Sequence, residues 1–162
     1  MLTGCCLKLG LEKTRDLSRR RGALEAWQGA LEYLAGELAF RLPDMPRLLE
    51  DLSHRAASPP AETFAAARAG LDRLGERSFE ELWRTALERT AGPLAGEDRE
   101  SLERLGNILG RYGWEDQCRA VEAVRRELSD RAARLRAQQD REGKVYGTLG
   151  LTLGAFVSIL LL

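Results

Sequence analysis

Apolar positions recur at three- and four-residue steps along most of this chain. Between about Leu11 and Phe40, the residues Leu17, Leu24, Trp27, Leu31, Leu34 and Leu38 fall on one side of a 3.6-residue period. That pattern predicts a long amphipathic helix with Trp27 in its core stripe. Arg41-Leu-Pro-Asp-Met-Pro ends it. A second helix is predicted from Met45 to about Ala57, with Asp44 as cap, Pro46 in the first turn and Leu48, Leu49 and Leu52 inward. Ser58-Pro59-Pro60 caps and starts a third, to about Glu76, with Phe64, Ala67, Leu71 and Leu74 inward. Ser78-Phe79-Glu80-Glu81 fits a capping box that opens a fourth helix, to about Thr90, on a face of Phe79, Leu82, Trp83, Ala86 and Leu87. Gly92-Pro93 ends it. A fifth helix spans about Glu97 to Tyr112 on Leu102, Leu105, Ile108 and Leu109, its end bracketed by Gly110 and Gly113. A sixth begins near Trp114, with Cys118, Val121, Val124, Leu128, Ala132 and Leu135 as its stripe. The connections are short, so neighbouring helices should pack antiparallel. The expected fold is all-α: an antiparallel six-helix bundle with a C-terminal transmembrane helix.

The membrane helix is expected because Val145–Leu162 contains no charged side chain. As a helix this run is ~27 Å long, close to the ~30 Å hydrocarbon core of a bilayer. Gly143, Gly147, Gly150, Gly154 and Ser158 fall on one face of it. Small residues in register let another helix approach closely, with a second copy of this chain among the candidates. Tyr146 is placed as an interfacial anchor. At the other end, Met1–Leu11 is apolar except for Thr3 and Lys8, and at ~16 Å it is too short to span. Its basic cluster follows the apolar stretch, which is the wrong order for a signal peptide. Two readings stand: the end of a membrane segment whose beginning is missing, or a frayed N-terminal turn. The chain thus divides into an apolar segment 1–11, a cytosolic helical body 12–142 and a membrane helix 143–162.

Charge changes the picture at the two ends of the body. The whole chain balances 25 basic against 25 acidic residues, which argues against nucleic acid as a partner. Lys8–Arg21 nevertheless holds six basic residues against two acidic, and Arg131–Lys144 holds five against two. Both clusters would meet a membrane, which points to lipid headgroups as partners and to a cytosolic body.

Candidate chemistry is thin. Cys5, Cys6 and Cys118 form no CxxC pair, and His54 is the single histidine, so the roughly four ligands of a zinc site are not assembled. The cysteines read as reduced thiols, and no metal or cofactor is expected. His54 falls near the end of the second helix, where a cation suits the dipole. No phosphate-binding loop, dinucleotide fingerprint, HExxH or GxSxG is present. The acidic groups Glu80-Glu81, Glu97-Asp98-Arg99-Glu100 and Glu115-Asp116 read as solvated faces and first turns matched to the helix dipole. A lipid-modifying enzyme would need clustered aspartates such as DDxxD, and none occurs. The expectation is a non-enzymatic protein.

Three stretches carry a resemblance: SFEELWRTAL (Ser78–Leu87), LERLGNILGRYGWEDQ (Leu102–Gln117) and GKVYGTLGLTLGAFVSILLL (Gly143–Leu162). Together with a basic leading helix they resemble the stage III sporulation protein AB family of endospore-forming bacteria, over essentially the whole chain. The most specific features are the two LG steps, the Asp116-Gln117 pair and the GK-[VL]-Y-x3-G start of the tail. The resemblance implies kinship with the cytoplasmic domain of the inner-membrane platform protein of type II secretion and type IV pilus machines. It implies a scaffold in the mother cell–forespore channel complex, in the mother-cell membrane facing the forespore. Its partners would be a secretion-type ATPase and other membrane subunits of that channel. It carries over no catalytic residue. Gly106 and Gly110 would serve helix packing or the turn, and Asp116 and Gln117 would cap the sixth helix or hold the turn. Members of the family begin with a full hydrophobic span, of which only Met1–Leu11 is present. The alternative function is a generic tail-anchored adaptor or chaperone unrelated to secretion.

Overall fold

The computed structural model describes residues 2–40, 44–111 and 113–160, with side chains described over 15–40, 44–111 and 113–141. Among the described residues six α-helices follow in chain order: α1 (Leu2–Phe40), α2 (Met45–Arg55), α3 (Pro60–Gly70), α4 (Phe79–Thr90), α5 (Gly96–Ile108) and α6 (Trp114–Leu160). Among the described residues there is no strand beyond an isolated bridge between Leu74 and Arg77.

The predicted stripes build one core. Leu24, Trp27, Leu31, Leu34 and Leu38 of α1 are buried together with Leu48, Leu49 and Leu52 of α2 and Val121, Val124 and Leu128 of α6. At its centre three rings meet: Trp27 and Phe64 at 5.6 Å between centroids, Phe64 and Trp83 at 5.6 Å, and Trp27 and Trp83 edge-on at 6.3 Å. Offset and edge contacts of this kind are the ones aromatic quadrupoles favour. The Trp83 Nε1–H donates to the Leu102 carbonyl at 2.8 Å, so this indole is buried without an unmet donor.

α1 and α6 are the frame. Arg21 donates to Gln139 at 3.1 Å, Arg136 to Glu25 at 3.4 Å, and the Cys118 thiol approaches the Ala35 carbonyl at 3.9 Å. Numbers fall on one helix as they rise on the other, so the two run antiparallel. The body therefore has a distal end, where α1 stops at Phe40 and α6 begins at Trp114. It also has a proximal end, near Arg20 and Arg131, beyond which both helices continue.

Several local expectations change. α1 begins at Leu2, not near Leu11, because the apolar segment joins it as helix without a break. The third helix stops at Gly70 and passes through a 3-10 turn, Leu71–Arg73, into Gly75 at φ +117°. Leu74 is consequently 58% exposed rather than inward. Asp44 makes no side-chain cap bond, and Ser58 donates to the Glu62 carboxylate at 2.6 Å instead of capping α3. Ser78 does cap α4, accepting from the Glu81 amide at 3.3 Å. α5 ends at Ile108, short of Tyr112, because Gly110 turns the chain at φ +77°. Among the described residues no helix is long and apolar enough to cross a membrane. The expected membrane helix 143–162 falls where side chains lie outside the described residues, as does the apolar segment 1–11.

Candidate functional site

Two places on the body are built differently from the rest. At the distal end an apolar groove of about 340 Å³ opens between the start of α2, the 3-10 turn, the start of α4 and the end of α5. Met45, Leu71, Leu74, Phe79 and Leu109 form its walls, with Glu80 and Arg111 at its edge. Phe40 (90% exposed) and Trp114 (45% exposed) stand at the same end. Groove, Phe40 and Trp114 together leave large apolar side chains exposed at one end of an otherwise charged body.

The groove's floor rests on Gly106. A Cβ there would lie 2.6 Å from Trp83 Cδ1, so only glycine lets α5 sit this close to α4. One turn on, Gly110 holds a left-handed conformation and its amide donates to Gln117 Oε1 at 3.4 Å. Asp116, in the first turn of α6, pairs with Arg119 three residues on.

The proximal end is charged. Asp98 is fully buried and sits at the third position of α5, where it accepts from the Ala95 amide at 3.0 Å. Arg20 of α1 forks onto it, Nε at 2.8 Å and Nη2 at 3.1 Å, and also reaches Glu97 at 2.7 Å. Arg131 of α6 approaches Asp98 at 3.8 Å and donates to Ser101 Oγ at 2.9 Å. Glu127 closes the ring, accepting from Ser101 at 2.8 Å and from Arg104 at 2.5 Å. The hydrogen bond to Asp98 holds the Arg20 guanidinium above its ordinary pKa against the opposing effect of burial, with Glu97 adding to it. Burial pushes the Glu127 carboxyl up, but the hydrogen bonds from Ser101 and Arg104 and the charges of Arg104 and Arg131 outweigh it. The net direction is down.

A family model for stage III sporulation protein AB matches residues 1–162. The chain belongs to this family. Membership supports a role in sporulation. Among solved structures, one titled "Stage III sporulation protein AB (SpoIIIAB)" is similar, with a TM-score of 0.66 at 20% identity. The alignment covers 76% of this chain and 98% of that one, and at this identity the likeness speaks for the fold. No curated protein matches the chain.

The structure brings Gly106, Gly110 and Gln117 together around the distal turn, with Asp116 beside them. The stripe Gly143, Gly147, Gly150, Gly154 and Ser158 lies on α6, with its packing outside the described residues. One correction concerns charge: Asp98 is not on a solvated face. Arg20, Arg21, Arg131 and Arg136, counted in the basic clusters, have partners within the fold, with Arg136 still largely exposed. Nothing in the local sequence marks Asp98 beyond an acid in a first turn, because its two arginine partners lie 78 and 33 residues away. His54 is exposed in the last turn of α2. Among the described residues no cluster of His, Cys, Asp and Glu could hold a metal ion.

Proposed function

We propose that this chain is a non-enzymatic, membrane-anchored platform subunit of a secretion-like channel complex used in endospore formation. The family match over the whole chain carries the reading. The shape of α6 supports it. One unbroken helix leads from the core stripe into the uncharged run Val145–Leu162, so an anchor there would hold the body without a flexible joint. On this reading the antiparallel bundle faces the mother-cell cytosol. Arg131 lies twelve residues before Gly143, ~18 Å along the helix, which is beyond the ~8 Å reach of unscreened charge. Attraction to anionic lipid then falls to basic residues nearer the tail, such as Arg141.

The distal groove is turned away from the proposed anchor and toward the cytosol. We assign it to a secretion-type ATPase, with the other channel subunits meeting the tail. The test is co-purification of the tagged full chain from cross-linked membranes of sporulating cells. The expected result is recovery in the membrane fraction together with a secretion-type ATPase. Recovery of the chain from the membrane without any such ATPase would overturn the platform reading and leave a tail-anchored adaptor.

A further inference from the structure

The proximal end of α5 is secured in an unusual way for a helix of a small bundle. Asp98 and Ser101 are 0% and 1% exposed, so the first turns of α5 bury polar groups where the distal turns bury Leu102 and Leu105. Arg20 is the side chain through which α1 reaches α5, and Arg131 and Glu127 are those through which α6 holds the same turn. The arginine side chains are only 21% and 16% exposed. A carboxylate that receives a two-pronged guanidinium, a second guanidinium and a backbone amide is compensated only while every partner is in place.

We infer that Asp98 is the keystone of an electrostatic latch that clamps the α5 N-terminus to the α1–α6 frame. It gives α5 two ends that can be released separately. With the Asp98 charge removed, Arg20 and Arg131 lose their shared acceptor inside the seam and must regain water. The adjoining polar cavity of about 380 Å³, lined by Ser101, Arg104 and Arg131 among others, already brings solvent to that seam. Opening is confined to the proximal end, because the distal end stays wedged by Gly106 beneath Trp83 and by the Trp83–Leu102 hydrogen bond. The latch thus sets whether α5 moves with the frame or pivots about its distal end.

Amide hydrogen exchange on the full chain in detergent micelles reads this directly. In Asp98→Asn, amides 99–102, which bond to the carbonyls of the first turn, should exchange about tenfold faster or more, as expected for a local opening, while those of α2 and α4 stay within about twofold of wild type. Arg20→Gln, which alters a side chain that reaches solvent, should give the same regional pattern with smaller amplitude. It also carries the test should Asp98→Asn fail to fold. Arg20→Lys, which keeps the charge and loses the fork, should fall between wild type and Arg20→Gln. Unchanged exchange at 99–102 in both neutralising variants would overturn the latch. So would acceleration spread equally over α2, α4 and α5.

Discussion

At its distal end α5 seats Leu102, Leu105 and Gly106 against the aromatic cluster, whereas at its proximal end it buries Asp98 and Ser101 against two arginines. The first contact is apolar and tolerates no added volume. The second is polar and tolerates no missing partner. Apolar burial acts over area and survives small displacements. A buried ion pair depends on geometry within a few tenths of an ångström, and its desolvation cost returns as soon as one member leaves. One helix thus carries two kinds of fastening, one at each end, that respond to different changes.

The comparison can be broken most forcefully at the distal end. Trp83→Ala should lower the unfolding free energy by about 4 kcal/mol, through a cavity beside Phe64 and loss of the bond to the Leu102 carbonyl. Chemical denaturation of the full chain in micelles measures it, and a loss below about 1 kcal/mol would show that the cluster is not what seats α5. Gly106→Ala comes next. The added methyl collides with the Trp83 ring and should cost about 2 kcal/mol, with a shift in the near-ultraviolet signal of the indole.

At the proximal end the effect should depend on pH. The folded-state Glu127 carboxyl lies below its ordinary range, so its contribution to stability is present above the unfolded value of about 4.3 and is lost as pH falls through the folded value. Wild type should therefore exceed Glu127→Gln in stability at neutral pH, with the difference closing in acid. A difference independent of pH would mean that the ion pairs there add little. The smallest effect on stability belongs to the exposed groove. Leu74→Ser should change unfolding by less than about 0.5 kcal/mol. On the proposed function it should nevertheless reduce ATPase co-purification several-fold. A fall in stability matching any fall in binding would show Leu74 to be part of the core instead.

What could be read from the chain follows the period of its apolar residues. The period places Trp27, Leu31, Leu82, Trp83 and Leu105 in the core, because a 3.6-residue stripe has little choice of face, and all are buried. Leu74, which the same period places inward, is exposed because the helix stops at Gly70 and the chain turns at Gly75. The LG steps could be quoted as a motif, but the reason for Gly106 needed the position of Trp83 from another helix.

By itself the sequence determined that this protein is helical, where most of its helices start and stop, and which face of each is buried. Those properties arise from local periodicity and from caps within four or five residues. Only the tertiary structure decided what the charges do. Charge counts place Arg20 and Arg131 in basic clusters and Asp98 on a solvated face or in a first turn, and they carry no partner information. Folding brings them together across 78 and 33 residues of chain, in a seam that buries Asp98 fully and the two arginines for the most part.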